Sequence, residues 1–150
     1  MSQSLSKLLV HLVFSTKNRQ PLIHDDIREE LHAYLIGILK AYDSPSLITN
    51  TMPDHGHILF SLSKNRALAE VIKEVKNGSS LWIKSKGLAY AHFYWQGGYG
   101  AFAVSEADRE EVMRYIANQQ EHHRHISFQD ELRALFKANG IEFDERYLWD

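Results

Sequence analysis

Two histidines one residue apart, His55 and His57, are the residues of this sequence best suited to chemistry. Residues two apart in a β-strand project from the same face, so the two imidazoles can converge on one metal ion. Ile58 and Phe60 would pack into a core on the opposite face, which leaves the histidine face free for chemistry. Taken alone, the pair is equally well explained as two ordinary polar residues beside the preceding Pro-Asp turn.

The remaining ligands of such a metal would have to be histidine, carboxylate or amide groups, because the sequence contains no cysteine. His11 is a candidate, since its position in an apolar run places it opposite Val10 and Leu12, and a zinc hydrolase built on His11, His55 and His57 is one alternative. A hydrogen-bonded structural role for His11 is favoured over that alternative. A later cluster could contact phosphate or cap a helix end; it comprises His122, His123 and His125.

A second pair of candidate residues, Tyr115 and Gln119, lies in a segment whose spacing predicts a helix. Residues four apart stack on one helix face. Tyr115 borders the apolar stripe, where a tyrosine is more often a core-edge residue with a hydrogen-bonded hydroxyl than a catalytic one. The amide oxygen of Gln119 is a hard ligand that suits Mg²⁺ or Mn²⁺ better than zinc.

The length and composition of the sequence limit the classes of protein to which it can belong. A chain of 150 residues with 44% hydrophobic content predicts one domain over residues 1–150. No apolar run approaches the ~18 residues of a membrane span and no signal peptide is evident, so we expect a cytoplasmic protein without a membrane partner.

A net charge of −2 argues against a protein that coats nucleic acid through bulk charge. Six basic residues against two acidic ones between 63 and 87 could still hold an anionic polymer, or form a solvated helix face.

Hydrophobic periodicity predicts the element order β-α-β-β-α-β-α-α. This order predicts an α+β fold of the ferredoxin-like (RRM-like) type, a split β-α-β antiparallel sheet with helices on one face, followed by a C-terminal helix. The predicted strands cover 8–14, 47–52, 57–62 and 99–104, with extended structure at 93–95. The predicted helices cover 25–42, a segment from 68 that weakens at 78–80, about 106–122, and a last helix between Ser127 and Asn139.

Several motifs in the same order resemble the HUH single-tyrosine transposases of the TnpA type, which occur in the smallest bacterial insertion sequences and include the REP-associated tyrosine transposases. The histidine pair alone would not be specific, whereas the ordered set is. The resemblance covers nearly the whole chain, and its motifs lie at 13–23, 52–57, 95–102, 115–124 and 140–149.

The resemblance implies that His55, His57 and Gln119 bind a divalent metal, Mg²⁺ or Mn²⁺, and that Tyr115 is the nucleophile. In this family the tyrosine forms a 5′-phosphotyrosine and frees a 3′-OH that can later rejoin strands, so no nucleotide cofactor is needed. The chain departs from the family at Gly56, where a bulky apolar residue is usual, and we expect a looser metal geometry there.

Similar transposases act as homodimers that recognise hairpins in single-stranded DNA, and the tyrosine helix of one subunit can complete the other subunit's site. A hairpin and a second copy of the chain are therefore the implied partners. A ferredoxin-like module that has lost catalysis and only binds hairpin nucleic acid remains an alternative. The residues that we select for phosphate contacts are Lys17, Arg19, Lys76, Lys84 and Lys86. Each of them could instead be a solvated surface charge.

Overall fold

A four-stranded antiparallel sheet forms the centre of the computed structural model, which describes residues 2–149. The strands stand in the order β2-β3-β1-β4, so the first strand lies inside the sheet beside the third and the fourth. The order and the antiparallel pairing confirm the predicted ferredoxin-like arrangement. The strand bounds are β1 Leu9–Ser15, β2 Ser46–Met52, β3 His55–Ser61 and β4 Gly100–Val104.

The two long helices pack together on one face of the sheet. β1 and β3 turn alternate apolar residues toward them, including Leu12, Phe14 and Phe60, all fully buried. α1 supplies Leu31 and Leu35 to the same core. The helix bounds are α1 Asp25–Ala41, α2 Leu68–Lys84, α3 Arg109–Ala117, α4 Gln119–His122, α5 Phe128–Ala138 and α6 Glu145–Leu148.

α2 continues through the Gly78 segment, where the sequence predicts a weakened helix. A Cβ on Gly78 would lie 2.9 Å from Ile38 Cδ1 of α1, so the glycine permits close contact between the two helices. The adjacent Ser79 hydroxyl accepts a hydrogen bond from Trp95 Nε1 at 2.9 Å. Tertiary packing therefore outweighs the low helix propensity of these residues.

The C-terminal helices cover the opposite face, which carries the histidines. Ile116 of α3 packs against Leu9 and Leu59, and Leu132 of α5 packs with Val13 in a neighbouring cluster. The histidine face carries the candidate site, but it is covered rather than open, because the apolar stripes of α3 and α5 need the same surface. No helix within residues 2–149 has the length and apolar character to cross a membrane.

Two predicted elements differ from the observed ones. The helix predicted over 106–122 is divided into a 3-10 turn at Glu106–Asp108, α3 and α4, with the break at Asn118. In a continuous helix the Ile116 carbonyl would accept a hydrogen bond from the backbone amide four residues later. Here it accepts one from Asn50 Nδ2 at 2.8 Å. The segment 93–95 is irregular and forms a single bridge, between Trp95 and Thr16.

Candidate active site

Both ring nitrogens of His55 and His57 have defined neighbours in the protein. The two side chains project from β3 on the same face and are almost completely buried. His55 Nδ1 lies 2.7 Å from Asp54 Oδ1, and His57 Nδ1 lies 2.8 Å from His11 Nε2. These contacts fix the ring orientations and leave both Nε2 atoms directed at one buried position.

Glu131 of α5 occupies that position and is not among the site residues predicted from the sequence. Its Oε1 lies 3.0 Å from His57 Nε2, 3.2 Å from His123 Nε2 and 3.6 Å from His55 Nε2. The residue is 2% exposed. One signal in the sequence could have identified it, because Glu131 lies on the apolar stripe of its helix, three residues after Phe128 and four before Leu135.

Gln119 joins the same cluster from the start of α4, as the resemblance implies. Its Oε1 lies 3.3 Å from His55 Nε2 and 3.0 Å from His123 Nε2. The side chain is buried, and its amide nitrogen donates a hydrogen bond to the Tyr115 carbonyl at 3.3 Å. The structure therefore brings the three predicted ligands together and adds His123 and Glu131 to them.

The donor atoms fit a divalent metal ion. Ligand atoms of His55, His57, His123 and Glu131 all lie within 4.8 Å of one another. Nitrogen and oxygen ligands about 2.1 Å from one ion are separated from each other by about 3.0–3.4 Å, which resembles the spacings found here. The carboxylate supplies a negative charge, and the imidazoles and amide oxygen supply neutral donors.

Tyr115 stands directly against this cluster. Its hydroxyl donates a hydrogen bond to Glu131 Oε2, the oxygen that does not face His57 and His123, and its ring centroid lies 5.8 Å from that of His57. Burial and the neighbouring carboxylate raise the pKa of Tyr115 well above its ordinary value. Burial would also raise the pKa of Glu131, but the hydrogen bonds from His123 and His57 outweigh it and hold that pKa below its usual range. In this arrangement Glu131 is an anion and Tyr115 is protonated.

His11 supports His57 and does not join the donor atoms. Its Nε2 contacts the ring nitrogen of His57 that points away from Glu131. Burial, with a smaller contribution from His57, lowers the pKa of His11 to about 3, so it is neutral. This is the favoured structural role, and the zinc set of His11, His55 and His57 is not assembled.

The other two histidines of the later cluster differ from His123. His122 Nε2 is buried 3.2 Å from Glu131 Oε2 and has no hydrogen-bond partner among residues 2–149. Its ring lies 5.2 Å from that of Tyr115. His125 is exposed and lies near Glu121. His122 and His123 therefore border the site, whereas His125 does not.

The residues selected for phosphate contacts do not form one patch. Lys17, Lys76 and Lys84 surround the segment 94–98: the Lys17 amide donates to the Tyr94 carbonyl at 2.9 Å, and Lys84 Nζ lies 4.0 Å from the Tyr94 ring centroid. Lys86 pairs with a carboxylate of α1 at 3.1 Å. The Arg19 guanidinium lies over the Trp149 ring, 5.3 Å from its centroid.

Known proteins resemble this chain in sequence and in fold. A sequence model of the family described as "Transposase IS200 like" matches residues 4–119. The ISDra2 transposase TnpA of Deinococcus radiodurans is 25% identical over 118 residues, which are 75% of this chain and 84% of that protein.

Two solved structures share the fold. A crystal structure described as a transposase of Deinococcus radiodurans aligns with a TM-score of 0.62 at 25% identity, over 79% of this chain and 98% of that one. A REP-associated tyrosine transposase bound to a REP hairpin aligns with a TM-score of 0.60 at 15% identity, over 82% and 74% of the two chains. The family match includes His55, His57, Tyr115 and Gln119 and ends before His123 and Glu131.

Proposed function

The chain belongs to the IS200-like transposase family, and from this premise we propose that it cleaves and rejoins single-stranded DNA at hairpin-marked element ends in a metal-dependent reaction. The observation that carries the proposal is the hydrogen bond from the Tyr115 hydroxyl to Glu131, whose other carboxylate oxygen lies beside the Nε2 atoms of His55 and His57. A nucleophile beside a phosphate-binding cation is what strand transfer requires.

The bond changes follow from the tyrosine nucleophile. Tyr115 Oη attacks phosphorus, the bond from phosphorus to the 3′-oxygen breaks, and the strand's 5′ end remains on the protein as a phosphotyrosine. The departing oxygen takes a proton and becomes a 3′-OH. In the second step a 3′-OH attacks the phosphotyrosine and restores the tyrosine hydroxyl. One phosphate ester replaces another in each step, so no nucleotide has to be hydrolysed.

The residues around Tyr115 set the conditions for this attack. His55, His57 and Gln119, with His123 and Glu131, would hold Mg²⁺ or Mn²⁺, and the ion would supply positive charge that stabilises the charge developing on the phosphate. Glu131 Oε2 accepts the tyrosine hydrogen bond and is therefore the nearest atom that can receive its proton. Burial of these side chains limits access of water, which favours rejoining over hydrolysis.

A hairpin substrate and a homodimer complete the proposal. The structural neighbour bound to a REP hairpin supports hairpin recognition by this fold. We assign phosphate contacts to Lys17, Lys76 and Lys84. Arg19 and Lys86 are further candidates, but each would first have to leave its contact with Trp149 or with the carboxylate of α1.

A covalent adduct is the direct test. The protein is incubated with Mg²⁺ or Mn²⁺ and a labelled hairpin strand taken from the DNA that flanks its gene, and the products are separated on a denaturing gel. We expect a protein–DNA adduct with the wild type and with Tyr147→Phe, an exposed tyrosine of α6. We expect none with Tyr115→Phe, and an undiminished adduct in that variant would contradict the assignment.

A hairpin-binding module without catalysis is the second candidate function. The observation that favours it is the hydrogen bond that ties the Tyr115 hydroxyl to a buried carboxylate, since a protonated phenol is a weak nucleophile. This candidate predicts hairpin binding without an adduct at any divalent ion, so the same gel, run beside a binding assay, distinguishes the two.

A further inference from the structure

A cavity of about 350 Å³ lies between α2 and the segment 94–99, separate from the histidine and glutamate cluster. Its lining combines cations, amides and aromatic rings, contributed by Lys73, Lys76, Asn77, Tyr94, Gln96 and Tyr99. Small-ligand sites occupy roughly 300–1,000 Å³, so this cavity is at the small end of that range. It has room for one small ligand and not for a duplex.

Lys76 is a half-buried cation in this cavity without a counter-charge. Its Nζ donates to the carbonyl oxygens of Gln96, at 2.5 Å, and Gly98, at 3.0 Å. No carboxylate of residues 2–149 forms an ion pair with it, and burial lowers its pKa. An ammonium group has three donors, so one remains for a ligand. A fixed cation in this setting attracts an anionic group.

Two tyrosines expose their rings at the same cavity. Tyr94 is 54% exposed and Tyr99 is 40% exposed, although large aromatic side chains usually gain stability by burial. Lys84 lies over the Tyr94 ring and adds positive charge next to it. Exposed aromatic rings interleaved with cations are the means by which proteins hold unpaired bases and their phosphates.

Gln96 connects the cavity to the strand end that carries His55. Its backbone amide donates to the Ser15 carbonyl at 2.8 Å, and its side-chain oxygen accepts a hydrogen bond from the Ser15 hydroxyl. Ser15 is the residue of β1 that faces His55 across the sheet. A group bound in the cavity is therefore held by the same framework as the candidate active site.

We propose that this cavity binds one unpaired nucleotide of the DNA strand, with its base against Tyr94 and Tyr99 and its phosphate at Lys76 and Lys73. This inference rests on the proposed function, because the nucleotide belongs to the single-stranded flank of the hairpin substrate. A nucleotide matches each part of this lining: the rings suit a base, the amides suit its polar edge, and the uncompensated cation suits its phosphate.

Binding to modified strands tests the proposal. Fluorescence anisotropy is measured with a labelled hairpin from the DNA next to the gene, carrying its single-stranded flank, and with a series in which each flanking nucleotide in turn is abasic. For the wild type we expect one abasic position to weaken binding by about 5- to 150-fold, the range for loss of one base–aromatic stack. Tyr94→Leu should weaken binding of the intact strand to a similar degree and reduce the effect of that abasic change, because only the Tyr99 contact with the base is left.

Matched variants separate the cavity from general effects. Tyr34→Leu on α1 and Lys137→Gln on α5 lie outside the cavity lining and should keep wild-type affinity, whereas Lys73→Gln should weaken it. An abasic effect that persists in full in Tyr94→Leu would overturn the cavity proposal while leaving strand cleavage intact. A wild-type protein that forms the Tyr115 adduct but shows no abasic-sensitive position would do the same. A wild-type protein that binds no hairpin would contradict both proposals.

Discussion

Glu131 connects the candidate metal ligands to the candidate nucleophile. One carboxylate oxygen faces His57 and His123, and the other accepts the hydrogen bond from Tyr115. This carboxylate is the one anion among the five candidate ligands, so it contributes most of the electrostatic attraction for a divalent cation. Glu131 lies outside residues 4–119, which match the family, so the family match gives no information on its role as a metal ligand. That role has to be tested on this protein.

Neutralising this carboxylate should weaken metal binding. Glu131→Gln preserves the side-chain volume but removes the negative charge, and we expect Mn²⁺ affinity, measured by isothermal titration calorimetry, to fall by at least about tenfold. Glu145→Gln removes a carboxylate of similar type on exposed α6 and should leave the affinity unchanged. Equal affinities in Glu131→Gln and the wild type would remove Glu131 from the ligand set.

The structure gives a local reason for glycine at position 56. Its missing side chain would point between Phe14 and Thr51, and an added Cβ would meet Phe14 Cζ and Thr51 Cγ2 at 3.4 Å. The Phe14 ring thus fills the space that a bulky residue at this position would need.

Two substitutions at Gly56 should therefore act in opposite directions. Gly56→Ala should raise the free energy of unfolding by about 0.5–1 kcal/mol, because alanine fits and costs less backbone entropy in a strand. Gly56→Leu should lower it by about 1–3 kcal/mol through overpacking against Phe14. Urea unfolding followed by circular dichroism measures both, and a leucine variant as stable as the alanine variant would contradict this explanation.

The position of the tyrosine helix depends on a side-chain network from two other elements. Asn50 of β2 donates through Nδ2 to the Ile116 carbonyl, next to Tyr115, and its Oδ1 accepts from Arg28 Nη2 at 2.6 Å. The Arg28 Nε atom also donates to the Thr51 carbonyl at 2.9 Å. The network fastens the end of α3 to the sheet at the point where the helix breaks.

Asn50→Asp should slow strand cleavage without altering metal binding. The aspartate keeps an acceptor for Arg28 but loses the donor to the Ile116 carbonyl and places a charge against it, so the end of α3 should move. We expect a slower rate of adduct formation with unchanged Mn²⁺ affinity. Asn65→Asp, in an exposed loop, is the control. A loss of metal affinity equal to the loss of rate would indicate general damage to the site.

Local sequence patterns predicted most elements because those elements follow their own hydrophobic periodicity. The run that forms β1 and the apolar stripe of α5 are examples. The break in the tyrosine helix was not predictable in this way, since it depends on Asn50, which is 66 residues from Ile116. Glu131 lies 74 residues from His57, and no periodicity links two residues that only tertiary folding brings together.

At the scale of the whole molecule, one chain contains every group that the proposed reaction needs. Tyr115 from α3 contacts Glu131 from α5, which in turn contacts His57 from β3. α3 is held to the sheet by packing of Ile116 on Leu9 and Leu59. Exchange of the tyrosine helix between two copies of the chain would form the same contacts on the partner's sheet, so placement within one subunit and placement across a homodimer both satisfy this packing.

Mixing two inactive variants distinguishes the two placements of the nucleophile. Tyr115→Phe keeps the candidate ligands but lacks the nucleophile, whereas His57→Asn keeps the nucleophile but lacks a ligand. If each tyrosine serves its own subunit, the mixture should form no adduct even after the chains are unfolded and refolded together, because no subunit is complete. Exchanged helices in a homodimer would combine an intact Tyr115 with an intact His57 and restore the adduct. Light scattering on the same mixture reports whether dimers are present, and adduct formation in it would contradict placement within one subunit.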